Sequence, residues 1–106
     1  MNINIKEITE ALKKFNEIEF AYIFGSHASG RATNLSDLDI AVYINNFNSP
    51  DEFIKYPYGF ESAVTGNLSI IIKSDKIDLV LLNKADILLS QKIINTGILL
   101  FERNKL

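Results

Sequence analysis

The chain has 106 residues, a formal net charge of −2 and no cysteine. We expect one compact domain over residues 1–106, without disulfides or thiolate metal ligands. The weak, interspersed charge argues against a protein that holds nucleic acid by its phosphates, although it permits a nucleotide whose charge a metal ion neutralises. We expect no signal peptide and no membrane span, and therefore a cytoplasmic protein.

The first half of the chain alternates between helical and strand patterns. Apolar residues at helical spacing predict an amphipathic helix from Ile5 to about Asn16. Strands are predicted at Glu19–Phe24 and Asp37–Ile44, joined by a helical turn and a loop over His27–Asn34. A turn cluster follows at Asn45–Asn48.

The second half continues the alternation. Ser49-Pro50-Asp51-Glu52 is typical of a helix start, and that helix should end near Pro57. Apolar spacing then predicts a helix over Phe60–Ile72, with a strand at Leu68–Lys73 as the alternative. The last predicted elements are a strand covered on both faces at Ile77–Leu82, a helix over Lys84–Thr96 capped by Asn83 and followed by Gly97 in the C′ position, and a strand at Ile98–Glu102.

Helices and strands that alternate in this way predict an α/β domain with one mixed sheet and helices packed against it. The pattern does not predict the order of the strands.

Two aspartates, Asp37 and Asp39, stand where the second predicted strand begins. Side chains two residues apart in a strand point to the same side, about 6.6 Å apart along the chain, while Leu38 points into the core. Like charges beside a core strand do not stabilise a fold. Two converging carboxylates suit Mg²⁺ or Mn²⁺, with water and substrate phosphate completing the coordination. A solvated strand end is the alternative.

The first predicted strand ends at Gly25-Ser26. Glycine permits close approach of the backbone to a ligand. If His27 begins a helical turn, its first N–H groups and the Ser26 hydroxyl would form an anion cradle. An ordinary turn is the alternative for Gly25-Ser26, and an ordinary loop position is the alternative for His27.

Asp78 is the one charge in the predicted strand Ile77–Leu82. An unpaired carboxylate in an apolar strand is expensive to bury. On a neighbouring strand it would lie about 5 Å away laterally, where it could share a metal or accept a proton from an attacking hydroxyl. Three carboxylates with two metal ions suit in-line displacement at a phosphate. The alternative is an ion pair with Lys76 or Arg103.

These motifs together resemble the signature of the polymerase-β-like nucleotidyltransferases. The string GSHASGRATNLSDLDIAV is similar to their smallest branch, the minimal nucleotidyltransferases (MNT). KIDLVLL resembles the strand of the third carboxylate and NTGILLFE the closing segment, so the resemblance spans residues 19–102. The positions that carry it are Gly25, Ser26, Gly30, Ala32, Ser36, Asp37, Asp39 and Asp78.

The resemblance implies the polymerase-β-like nucleotidyltransferase fold and transfer of a nucleoside monophosphate from an NTP, most simply ATP, to an acceptor hydroxyl. Asp37, Asp39 and Asp78 would be catalytic and would hold two Mg²⁺ ions, with Mn²⁺ as the alternative metal. Many members carry arginine at the position of Ser29, whereas here the nearest guanidinium is Arg31. The nucleotide-binding residues that the resemblance implies are Gly25, Ser26, Gly30, Arg31 and Ser36.

Members of this branch commonly act as the antitoxin of a pair whose toxin is a helical HEPN ribonuclease. The resemblance implies addition of AMP to a tyrosine of such a toxin, and a hetero-oligomer with it. We expect the acceptor to come from a partner because the catalytic sheet uses nearly all of this length. Two alternatives stay open: nucleotidyl transfer to a small hydroxylated molecule such as an aminoglycoside, and neutralisation of the partner by binding alone.

Overall fold

The computed structural model describes residues 3–45, 47 and 55–103. The predicted helix start at residues 49–52 lies outside them. No helix among the described residues is long and apolar enough to cross a membrane. In chain order the elements are α1 (Ile5–Lys13), β1 (Ile18–Phe24), α2 (Ser26–Ser29), β2 (Leu38–Ile44), α3 (Phe60–Ile72), β3 (Ile77–Leu81), α4 (Ile87–Thr96) and β4 (Ile98–Glu102).

The strands form a mixed sheet in the order β3-β2-β1-β4. β1 runs antiparallel to both β2 and β4, whereas β2 and β3 run parallel. Parallel neighbours need a crossover connection, and α3 lies in the connection between these two. The expected α/β fold with a mixed sheet and packed helices is therefore confirmed.

The main core lies between one face of the sheet and the helices α1 and α3. Leu38 is completely buried in it, and truncating such a side chain to alanine typically costs about 2–5 kcal/mol. Successive side chains of a strand alternate between faces, so the burial of Leu38 fixes Asp39 on the opposite face. Other buried members are Ile8 and Leu12 of α1, Ala21 and Ile23 of β1, Ile40 and Val42 of β2, and Val64 and Leu68 of α3.

The helices that pack on the core are those that the sequence predicted, with one difference in length. α1 begins after Asn4, whose side chain accepts a hydrogen bond from the backbone N–H of Glu7 at 3.1 Å, and it ends at Lys13 rather than near Asn16. α3 confirms the predicted helix, and the alternative strand at Leu68–Lys73 is wrong. Its buried side chains recur at helical spacing, as a helix on a sheet requires.

The sequence predicted that strand β3 is covered on both faces, and this prediction is wrong. The strand lies at an edge of the described sheet; Leu81 is buried, and most of its other residues are half-buried. Ile77 and Leu79 pack against the core, which accounts for half of the apolar run. Asp78 lies between them in sequence, points the other way and is exposed.

Asn83 does not cap the following helix. Its side chain extends the sheet instead: Oδ1 accepts from the N–H of Ile44 at 3.0 Å, and Nδ2 donates to the carbonyl of Ile44 at 2.9 Å. The N-cap is Asp86, whose carboxylate accepts from the N–H of Leu89 at 2.8 Å. Gly97 is itself the C-cap, with an extended φ of −80°, rather than a left-handed C′ residue.

Glu17 anchors the segment before α3 to the turn before β1. Lys55 Nζ lies 2.9 Å from a Glu17 carboxylate oxygen, and the Tyr56 hydroxyl donates to the same carboxylate at 2.9 Å. Burial acts to raise the pKa of Glu17, but the hydrogen bonds from Lys55, the backbone and Tyr56 outweigh it, so the pKa is lowered. The ring of Tyr56 packs edge-on against Phe60.

Candidate functional site

The turn after β1 is built around Gly25. Its φ of +71° and ψ of −149° belong to a region that residues with a Cβ rarely adopt. A Cβ at this position would collide with Oδ2 of Asp39. The Asp39 carboxylate therefore lies directly against the backbone of the turn, and both the conformation and the contact require glycine.

The register of the sheet places two predicted carboxylates side by side. Asp39 pairs with Phe24 on β1 and with Asp78 on β3. Directly opposed residues on neighbouring strands, which lie about 5 Å apart, point to the same face. Asp37 stands just before β2, two residues from Asp39. The three carboxylates predicted to be catalytic thus lie at the same end of the sheet, and Asp39 is the one in contact with Gly25.

The pKa of Asp39 is raised above its usual value. Burial is the largest cause, followed by the negative charges of Asp78 and Asp37, while His27 acts in the opposite direction. A raised pKa means that this environment disfavours the ionised carboxylate. The site therefore concentrates negative charge that a bound cation would relieve.

Asp78 does not form the predicted alternative ion pair with Lys76 or Arg103. The Arg103 side chain donates instead to the backbone carbonyls of Ile18 and Lys13, both at 2.6 Å. Neither ion pair between described residues includes Asp78. The cost of burying this carboxylate does not arise, because β3 is an edge strand of the described sheet and Asp78 is exposed.

The donor set fits a hard divalent cation by its chemistry. Three carboxylates supply only oxygen, which Mg²⁺ and Mn²⁺ prefer, and their mutual repulsion at Asp39 favours a cation. In the part of the chain that the structure describes, no three histidine or acidic side chains are close enough to hold an ion together. Because Asp37 and Asp78 are exposed, rotation of their side chains can bring them closer to Asp39.

The helical turn predicted after Gly25 is present as α2. The N–H groups of Ala28 and Ser29 both donate to the carbonyl of Gly25 at 3.1 Å, so these two amides are not available to a phosphate. The anion cradle stays a prediction, and it would depend on the N–H groups of Ser26 and His27 and on the Ser26 hydroxyl.

Two further predicted nucleotide-binding residues shape the loop between α2 and β2. Gly30 ends α2 in the left-handed conformation, with φ +78°, and its position faces open space. The Ser36 hydroxyl accepts from the N–H of Thr33 at 2.9 Å. The structure thus shows Gly30 and Ser36 shaping the loop, and binding of a nucleotide by either residue stays a prediction.

A cavity of about 560 Å³ opens between α2 and α4. Ser26 and Arg31, both predicted to bind nucleotide, lie on its wall. The sequence did not predict that Lys92 lines this cavity, because no motif marks α4. Only the tertiary fold brings Lys92 beside the turn. The lining residues are Phe24, Gly25, Ser26, Ser29, Arg31, Leu89, Lys92, Ile93 and Thr96.

His27 lies close enough to Asp39 for its charge to affect the pKa of that carboxyl. Its Nε2 is buried and has no hydrogen-bond partner among the described residues. A buried polar atom usually has one. His27 therefore belongs to the surroundings of the carboxylates rather than to an ordinary exposed loop, a distinction that the sequence left open.

The model of the family described as polymerase beta, nucleotidyltransferase matches residues 6–106 of this chain. A comparison with curated proteins gave no match.

Solved structures with the same fold come from toxin–antitoxin complexes. A chain of a toxin–antitoxin complex with AMP-PNP is 24% identical, with a TM-score of 0.73 over 96% of this chain and 76% of that one. A chain of a mutant toxin–antitoxin MntA–HpeT complex is 25% identical, with a TM-score of 0.70 over 97% and 76%. A chain from the complex of tri-AMPylated Shewanella oneidensis HEPN toxin with MNT antitoxin is 22% identical, with a TM-score of 0.62 over 92% and 69%.

Proposed function

This chain belongs to the polymerase beta, nucleotidyltransferase family, and we propose that it transfers AMP from ATP to a hydroxyl group of a partner protein. One observation carries the proposal: Asp39 lies opposite Asp78 in the sheet, with its carboxylate against Gly25. Acidic side chains thereby stand beside a turn whose backbone a phosphate chain can approach closely.

Asp37, Asp39 and Asp78 are the residues that would hold Mg²⁺, or Mn²⁺ in its place. The bound metal would neutralise charge on the triphosphate and make the α-phosphorus more electrophilic. Ser26 would donate its hydroxyl hydrogen to a phosphate oxygen, and Arg31, on the same cavity wall, would pair with phosphate charge.

The transfer makes one bond and breaks one. The acceptor oxygen bonds to the α-phosphorus while the bond from that phosphorus to the bridging oxygen of pyrophosphate breaks, and the electron pair leaves with pyrophosphate. The proton of the acceptor hydroxyl passes to a carboxylate oxygen of Asp78. Its exposure at the sheet edge allows an acceptor on another protein to reach it.

The surface near the site supports a protein partner. Three apolar side chains of α4 are exposed: Ile87 by 71%, Leu88 by 75% and Ile94 by 50%. Exposed apolar side chains that form a patch are typical of surfaces that contact other proteins. Because similar folds occur in complexes of MNT antitoxins with HEPN toxins, we propose a HEPN toxin as partner, a tyrosine hydroxyl as acceptor and an antitoxin role.

The test is intact-mass spectrometry of a HEPN toxin after incubation with this chain, ATP and MgCl₂. We expect a covalent gain of AMP, located on a tyrosine and abolished by EDTA or by the double variant Asp37→Asn/Asp39→Asn. Asp75→Asn is the matched control, because Asp75 is an exposed carboxylate outside the trio. A toxin that gains no AMP although the chain binds ATP would contradict the proposal.

The same experiment separates the two alternatives. AMP found on an added aminoglycoside and not on the toxin would favour a small-molecule acceptor. Neutralisation of the toxin by Asp37→Asn/Asp39→Asn as efficiently as by the wild type would favour an antitoxin that acts by binding alone.

A further inference from the structure

Lys92 is the one charged residue of α4, and it lines the cavity between α2 and α4. Leu89, Lys92, Ile93 and Thr96 share one helical face, and all four line the cavity beside the turn after β1. Ile93 on that face is almost completely buried. Lys92 stands next to it at the exposed side of the same face.

The opposite surface of α4 is apolar where a charge is expected. Ile87, Leu88 and Ile94 are exposed there, although a surface helix normally turns its charges to solvent and its apolar residues inward. Lys92 lines the cavity and is itself exposed, so its ammonium group is accessible to a ligand there.

The polar lining of the cavity is suited to an anion. Arg31 on the loop after α2 and Lys92 on α4 both line it, and both are exposed. Ser26, Ser29 and Thr96 add hydroxyl groups. Among the residues that the structure describes, no acidic side chain lines it. Within the described residues, neither Arg31 nor Lys92 takes part in an ion pair. Two unpaired cations across a gap repel each other, and an anion between them removes that repulsion.

We propose that Lys92 binds the β- and γ-phosphates of the nucleotide together with Arg31, so that the cavity takes the pyrophosphate end of ATP. This inference rests on the proposed function, and it assigns a residue of α4 to the substrate. The Asp39 carboxylate lies against Gly25, and Gly25 also lines the cavity. A triphosphate bound there would therefore have its α-phosphate toward Asp39.

The test compares ATP with AMP by calorimetric titration in MgCl₂. Lys92→Ala should weaken ATP binding by about tenfold, because it removes a charge-assisted hydrogen bond to phosphate at an exposed position, where such a bond is at its weakest. Its affinity for AMP, which has no β- or γ-phosphate, should not change. Lys92→Arg should restore most of the ATP affinity. Lys6→Ala, an exposed lysine of α1 on the other side of the sheet, is the control for lost charge.

Each result of these titrations either supports or overturns the assignment of Lys92 to the phosphates. Equal ATP affinity in Lys92→Ala and Lys6→Ala overturns the assignment. An equal loss for AMP and ATP also overturns it, because the cavity would then take the nucleoside. If the wild type binds no nucleotide, the proposed function fails, and titration with inorganic tripolyphosphate decides the inference alone: binding that Lys92→Ala loses supports it, and absence of binding overturns it.

Discussion

The variant Gly25→Ala tests whether the contact between the turn and Asp39 creates the nucleotide site. The substitution has two separate costs. The backbone region of Gly25, φ +71° and ψ −149°, costs a residue with a Cβ about 1–3 kcal/mol. In addition, the new Cβ must displace the Asp39 carboxylate with which it collides.

Gly59→Ala is the matched control. Gly59 has φ +95° and ψ 149°, a backbone conformation of the same glycine-only kind, and a Cβ there meets nothing within 4 Å. Urea unfolding should therefore show a loss of about 1–3 kcal/mol for both variants, a cost that a stability of about 5–15 kcal/mol tolerates. Only Gly25→Ala adds displacement of the carboxylate.

Calorimetric titration with ATP in MgCl₂ then separates the two costs. We expect Gly25→Ala to weaken binding by at least about tenfold, because charge-assisted contacts of about 1.5–3 kcal/mol depend on the position of Asp39. Gly59→Ala should bind as the wild type does. Wild-type binding by folded Gly25→Ala, or an equal loss in the two variants, would refute the reasoning.

Three further predictions concern stability and are measured by urea unfolding. Asp39→Asn should stabilise the fold at neutral pH. The pKa of Asp39 is raised, so the wild type loses stability as pH rises from the ordinary aspartate pKa through the raised one. The stability difference between variant and wild type should therefore vanish in acid. Glu17→Gln should destabilise at neutral pH, because the lowered pKa of Glu17 gives stability that is lost as pH falls through it; a pH-independent difference would contradict either prediction. Asn83→Asp should cost about 1–3 kcal/mol, since aspartate cannot donate to the part-buried carbonyl of Ile44, and unchanged unfolding would show that this bond adds nothing.

Local sequence signals predicted the part of the site that lies between Gly25 and Asp39, on one continuous stretch of the chain. Gly25 follows a run of apolar residues, and Asp37 and Asp39 stand at the start of the next run, so strand periodicity alone put both carboxylates on one side. The same signals predicted the α/β class and most helix and strand positions, because amphipathic spacing reflects the face that each element buries.

Contacts between distant residues were not predictable in this way. Asn83 has the chemistry of a helix cap, but the carbonyl and amide of Ile44 compete for its side chain and hold it. The exposure of Asp78 follows from the edge position of β3, which depends on strand order. Lys92 reaches the cavity only because α4 packs against β1. Each of these depends on tertiary packing, which carries no local signal.

The central claim is that the aspartates beside Gly25 form a metal-dependent nucleotide site. The most direct test is calorimetric titration of ATP with and without MgCl₂, comparing the wild type with Asp37→Asn/Asp39→Asn. We predict binding that requires Mg²⁺ and is lost in the double variant while its unfolding stability is retained or raised. Equal, metal-independent binding by both proteins would contradict the claim.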